Sequence, residues 1–278
     1  MSAIKTPNLR ENKMGTMPIG KLLANMALPM IASMLVQALY NVIDSIYISR
    51  YSESAVTALG LAFPVQNVQI GLAVGIGVGV NSLLSKSLGE GNREKANRTA
   101  GNGMILMFMV TAAFMLFGFF GVRPFYEAQS TVAATVEGGI AYTRICCVFV
   151  LGSYMQLYSE RLLQATGRTM LSMVTQATGA IINIIMDPIL IFGLFGAPAL
   201  GIKGAAIATV FGQVCAAALA CWFNKKKNDD IVINPKKYHL QAHAVKAIYA
   251  IGIPSICMVS IGSIMTFGMN KILIAFTS

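Results

Sequence analysis

The sequence is poor in charge. Acidic and basic side chains make up 12% of its 278 residues, against about 25% in an ordinary soluble domain, so a solvated globular surface is excluded for most of the chain. Cysteine is scarce and odd in number. Cys146, Cys147, Cys215, Cys221 and Cys257 all lie in apolar runs, which sets aside a disulfide framework and a thiolate metal site and leaves buried free thiols. Cys146 and Cys147 are the least metal-like, because adjacent helical side chains point about 100° apart. A charged segment followed by a short apolar core and a small-residue cleavage site is missing from the start of the chain. A polar lead, residues 1–20, runs instead into an apolar segment too long for a signal peptide.

What the chain has is apolar length. Hydrophobic residues reach 55% and the mean hydropathy is +0.65. Seventeen methionines and 26 glycines suit close, adaptable helix interfaces. A spanning helix needs about 20 mostly apolar residues. Such segments run from Leu22 to Ile48, Val56 to Leu84, Gly103 to Phe120, Ile140 to Tyr158, Met170 to Phe195 and Gly204 to Phe223, and a seventh begins near Val245 and reaches Phe276. They are far longer than the strands of a membrane barrel, about 9–11 residues, and do not alternate.

Basic residues then set an expected orientation. With the N-terminus in the cytoplasm, the inner segments hold Lys5, Arg10, Lys13 and Lys21, then Lys86, Arg93, Lys95 and Arg98, then Arg161 and Arg168, then Lys225, Lys226, Lys227, Lys236, Lys237 and Lys246. The outer connections hold Arg50, Arg123 and Lys203. This one-sided distribution accounts for the net charge of +10 as loops facing anionic lipid, so the basic excess does not call for a nucleic-acid partner.

Pro29 in MALPMIASMLVQ and Pro254 in IGIPSICMVSIG sit near the start of the first and last spans. Two matching openings suggest a repeat that begins again, as in transporters built from two related halves. The expected fold is an all-α integral membrane protein. Residues 1–223 form a six-helix transmembrane lobe, 224–244 a cytoplasmic basic linker and 245–278 the first helix of a second lobe.

Polar residues inside the spans fall on faces. Gln37, Asn41 and Asp44 lie in one stripe of the first span, and Gln176, Asn183 and Asp187 in one stripe of the fifth, with Asn183 and Asp187 one turn apart. Pro188 follows at once and frees backbone carbonyls beside Asp187. Two intramembrane carboxylates with neighbouring amides suit a hard cation held by oxygen, or protons; Thr209 of the sixth span adds a hydroxyl. Isolated Asn, Gln and Thr in spans more often bridge helices than bind ligands.

Other features read as structural. Glu160, beside Arg161, is expected at the cytoplasmic interface, and Glu137 ahead of its span. Gly75, Gly77 and Gly79 in GLAVGIGVGV imply close helix packing or a bend rather than a phosphate loop. His239 and His243, lacking a further acidic or cysteine partner, read as surface residues, and Lys225, Lys226 and Lys227 as a topology anchor.

Together GTMPIGKLLANMALPMIASMLVQALYNVIDSIYIS, LAFPVQNVQIGLAVGIGVGVNSLLSKSLGEGN, and INIIMDPILIFG followed by GIKGAAIAT resemble the multi antimicrobial extrusion (MATE) family, within its MepA-like group. The resemblance covers essentially the whole chain. It implies twelve helices in two six-helix lobes around a cleft, and multidrug efflux by secondary antiport, exporting cationic amphipathic compounds for H+ or Na+ across a bacterial plasma membrane. It places a cation site on Asp44, Asn183, Asp187 and Thr209, with Tyr40 near it; Gln37, Asn41 and Gln176 are candidate supports. No permanently bound cofactor is expected. The chain ends in its seventh span, where the family runs to about twelve, so the second lobe is expected from further sequence or another chain. A non-transporting fragment or half-transporter is the alternative. An intramembrane aspartyl protease is remote, because the residues before the two aspartates read Val42-Ile43 and Ile185-Met186 and match neither of that family's motifs.

Overall fold

In lipid, backbone N–H and C=O groups must pair within their own segment, so long apolar runs close into helices. The computed structural model describes residues 17–231 and 240–277. Among these, the helices are α1 (Ile19–Tyr51), α2 (Glu53–Gly89), α3 (Arg93–Phe120), the short α4 (Val122–Glu127), α5 (Ala133–Val148), α6 (Val150–Ala165), α7 (Thr169–Phe192), α8 (Ile202–Lys227) and α9 (Ala242–Thr277), with a 3-10 turn at Leu194–Gly196. Six helices are long and apolar enough to span a membrane, and α5 with α6 makes a seventh crossing bent by 49°. The protein is an all-α, multi-pass membrane protein with a six-span lobe and a seventh span.

The helix ends follow local chemistry. Helix α3 begins ten residues before its apolar run because the Asn92 side chain caps it, accepting from the Lys95 amide at 2.9 Å. Helix α7 stops at Phe192, short of Phe195, because Gly193 takes the left-handed conformation with φ 76°. The fourth crossing is not one straight helix: it breaks at Phe149, which leaves helical geometry at φ −98°, ψ 19°.

Glycine sets the closest contacts. A Cβ on Gly252 of α9 would lie 2.4 Å from the Gly75 carbonyl of α2, and one on Gly79 would lie 2.2 Å from the Ile248 carbonyl. These backbones touch only because no side chain intervenes, so Gly75 and Gly79 pack helices, while Gly77 faces Leu157 and Arg161 of α6. A core of Ile76, Val80, Leu84, Met107, Tyr158, Leu162 and Ile248 fills the same region.

Two acids stand out. Glu160 lies inside α6, 8% exposed, in a helix that ends at Ala165. Glu137 lies within α5 rather than before it, and takes an ion pair from Arg123 at 3.2 Å. At the end of α8, Asp230 stands between Arg168 at 3.3 Å and Arg93 at 3.8 Å, and Arg168 donates to Asn228 Oδ1 at 2.7 Å. His239, Lys236, Lys237 and the lead residues Lys5, Arg10 and Lys13 lie outside the described residues.

Candidate functional site

Helices α1 and α7 run parallel. Gln176 donates to Gln37 at one level, and Tyr47 meets Phe192 edge to face at a centroid separation of 6.3 Å at another. Asp44 and Asp187 both fall between these two contacts. Asp44 is 9% exposed and Asp187 is fully buried.

Helices α7 and α8 approach through small residues. A Cβ on Gly212 would stand 2.7 Å from the Gly179 carbonyl, and one on Gly204 would stand 2.4 Å from the Leu190 carbonyl. That closeness brings the short Thr209 side chain within reach of Asn183. In either amide orientation Asn183 bridges Asp187 and Thr209. The orientation that matches donors with acceptors has Nδ2 donating to Asp187 Oδ2 at 3.1 Å, and Oδ1 accepting from Thr209 Oγ1 at 3.3 Å and the Thr209 amide at 3.1 Å. Pro188 lies inside α7 and withholds the donor that would reach the Ile184 carbonyl. Asp44 is the exception to this bonding, since its buried Oδ1 has no hydrogen-bond partner among the described residues. A carboxylate oxygen so placed costs several kcal/mol unless a proton or cation meets it, and the surrounding oxygens are the hard donors a small cation takes.

Beside this cluster is a small cavity of about 90 Å³. Gln37 and Tyr40 of α1, Gln156 of α6, Gln176 and Asn183 of α7, and Thr209 and Gln213 of α8 line it. Of the residues singled out in the sequence, Asn41 alone is turned away: it is exposed and outside the lining. Gln156 and Gln213 were not singled out, and Glu160, read as interfacial rather than as part of a site, is buried and accepts from Gln156 Nε2 at 3.0 Å and Thr175 Oγ1 at 3.2 Å. Gln156 and Glu160 are one turn apart, the spacing that makes Asn183–Asp187 visible, so the signal was available.

Long apolar helices gathered around buried carboxylates and amides define a polytopic helical membrane protein. The family named MatE matches residues 29–189, more than half of the sequence, and the chain belongs to that family, whose members are transporters rather than enzymes. Among curated relatives, an FAD transporter of Shewanella oneidensis is 30% identical over 206 residues, covering 73% of this chain and 45% of the relative. The multidrug export protein MepA of Staphylococcus aureus is 26% identical over 253 residues, covering 87% and 53%. A solved structure described as the outward-facing conformation of a multidrug resistance MATE family transporter superposes with a TM-score of 0.83 at 27% identity, covering 91% of this chain and 56% of that one. The chain thus spans about half the length of the curated relatives it matches.

Proposed function

We propose that this chain is the coupling lobe of a secondary antiporter that exports cationic amphipathic drugs in exchange for H+ or Na+. In this reading residues 1–223 are the lobe, 224–244 the linker and 245–278 the first helix of a second lobe, supplied by further sequence or another chain. The membrane is a bacterial plasma membrane with the N-terminus inside, as the one-sided basic residues support. Asp44, Asn183, Asp187 and Thr209 hold the coupling ion, and Tyr40, Gln37 and Gln176 border them on the cavity side.

The orphaned Asp44 Oδ1 beside the Asn183–Asp187–Thr209 chain carries this reading. Binding of a proton or cation between α1 and α7 removes the cost of the unpartnered oxygen. It draws the two helices together at the level where Pro188 interrupts α7, and the adjoining cavity closes on its cargo side. Release of the ion reverses the change. The relative named as an FAD transporter favours a second cargo class, nucleotide-bearing flavins.

Efflux from cells expressing the chain together with its second lobe tests the reading. Asp44→Asn and Asp187→Asn each abolish drug export while the protein still reaches the membrane. Unchanged export in either variant removes that residue from the coupling site.

A further inference from the structure

Where α1 begins, it leaves a groove of about 380 Å³ against the first turn of α7. Lys21, Ala24, Asn25, Leu28 and Pro29 of α1 and Met170 of α7 line it. Pro29 is buried and forms the floor, while the other five side chains are exposed. No residue lines both this groove and the cavity beside the coupling carboxylates. Asp44 stands about 22 Å further along α1 than Pro29, at 1.5 Å per residue.

The lining is graded along the helix. Lys21, Asn25, Leu28 and Pro29 stand at i, i+4, i+7 and i+8, so they share one face of α1. Over about 12 Å that face passes from an ammonium, through a carboxamide, to apolar side chains. Neither polar group is used inside the protein: among the described residues Lys21 has no ion-pair partner and Asn25 no hydrogen-bond partner. No acid lines the groove. Its charge therefore calls for an anion with an apolar tail. The lead that precedes α1 carries Lys5, Arg10 and Lys13 against the single acid Glu11, and a second copy of the chain carries a net charge of +10, so neither complements Lys21.

We propose that the α1–α7 groove binds an anionic phospholipid of the bilayer leaflet at which α1 begins. The phosphate meets the Lys21 ammonium, an ester carbonyl accepts from the Asn25 NH2 group one turn deeper, and an acyl chain lies against Leu28, Pro29 and Met170. A zwitterionic headgroup brings its own cation to Lys21 and loses most of that attraction. The cytoplasmic identity of the leaflet follows from the proposed orientation, and the site itself does not depend on it. A lipid held here joins α1 to α7, the two helices that carry Asp44 and Asp187, at the end remote from both acids.

The test places the purified chain in liposomes containing phosphatidylglycerol or phosphatidylcholine, each with a photoreactive diazirine on one acyl chain. Labelled residues are mapped by mass spectrometry. Phosphatidylglycerol is expected to label residues 21–29 and Met170 about fivefold more than phosphatidylcholine does. Lys21→Gln brings the two lipids to within about twofold of each other, whereas Lys227→Gln, at the end of α8, leaves the preference unchanged. Ala24→Phe fills the groove and removes labelling there by both lipids. Helical content by circular dichroism is expected to stay the same in all three variants. Equal labelling by the two lipids in the unaltered chain, a full preference retained in Lys21→Gln, or no labelling of the groove each overturns the proposal. Labelling that appears only after removal of residues 1–16 would assign the groove to the lead instead. Loss of the label to excess soluble glycerol phosphate would assign it to free phosphate esters. The lipid comparison is made on the unaltered chain, so a variant that fails to fold does not shield it.

Discussion

Two helix seams in this molecule are built with the same device and serve different ends. At the α2–α9 seam, Gly75, Gly79 and Gly252 bring backbone onto backbone among apolar side chains. At the α7–α8 seam, Gly179 and Gly212 do the same, but the closeness there lets Thr209 reach Asn183 and, through it, Asp187. Close approach is general in membrane helices. What sets the second seam apart is that it turns proximity into a hydrogen-bonded chain ending on a buried carboxylate, beside another whose buried Oδ1 has no partner among the described residues.

The largest effect separates the seams directly. Gly212→Leu and Gly252→Leu each drive a side chain into a facing carbonyl and lower stability by about 3 kcal/mol, read as a fall in the thermal unfolding midpoint. Only Gly212→Leu should also lose export in cells that express the chain with its second lobe. Equal loss in both would make the apolar seam part of the site.

The difference between the seams was partly legible in the sequence. Apolar runs of spanning length gave the helices, and the glycines of GLAVGIGVGV read as packing. The four-residue spacing of Asn183 and Asp187 put both on one face, and Asp44 stood out by chemistry. Three features were not read. Phe149 breaks the fourth crossing with neither proline nor glycine at the break, so only tertiary packing reveals the bend. Glu160 beside Arg161 looked interfacial because its partners, Gln156 and Thr175, come from the preceding turn and from another helix. Asn41 shares a stripe with Asp44 but lies about 60° around the helix from it at 100° per residue, enough to face outward while Asp44 faces α7.

Smaller effects sharpen the comparison. Thr209→Val removes the hydroxyl that bonds Asn183 and costs about 1 kcal/mol, measured by chemical unfolding in detergent; the matched change Thr111→Val, whose hydroxyl bonds only the Met107 carbonyl of its own helix, should cost less. Arg168→Ala removes a partly exposed pair with Asp230 and should change stability by less than about 1 kcal/mol, with efflux retained. A larger loss would mean that the linker anchor supports the lobe more than its exposure suggests.

The central claim is that Asp44 and Asp187 form one site. A double-mutant cycle of Asp44→Asn and Asp187→Asn on unfolding free energy tests it most directly. Each single change should leave stability equal or raised, because a buried charge is removed. The double variant should depart from additivity by about 1 kcal/mol or more, because neutralising one acid already relieves the other. Strict additivity would contradict a shared site and would leave two separate buried carboxylates on neighbouring helices.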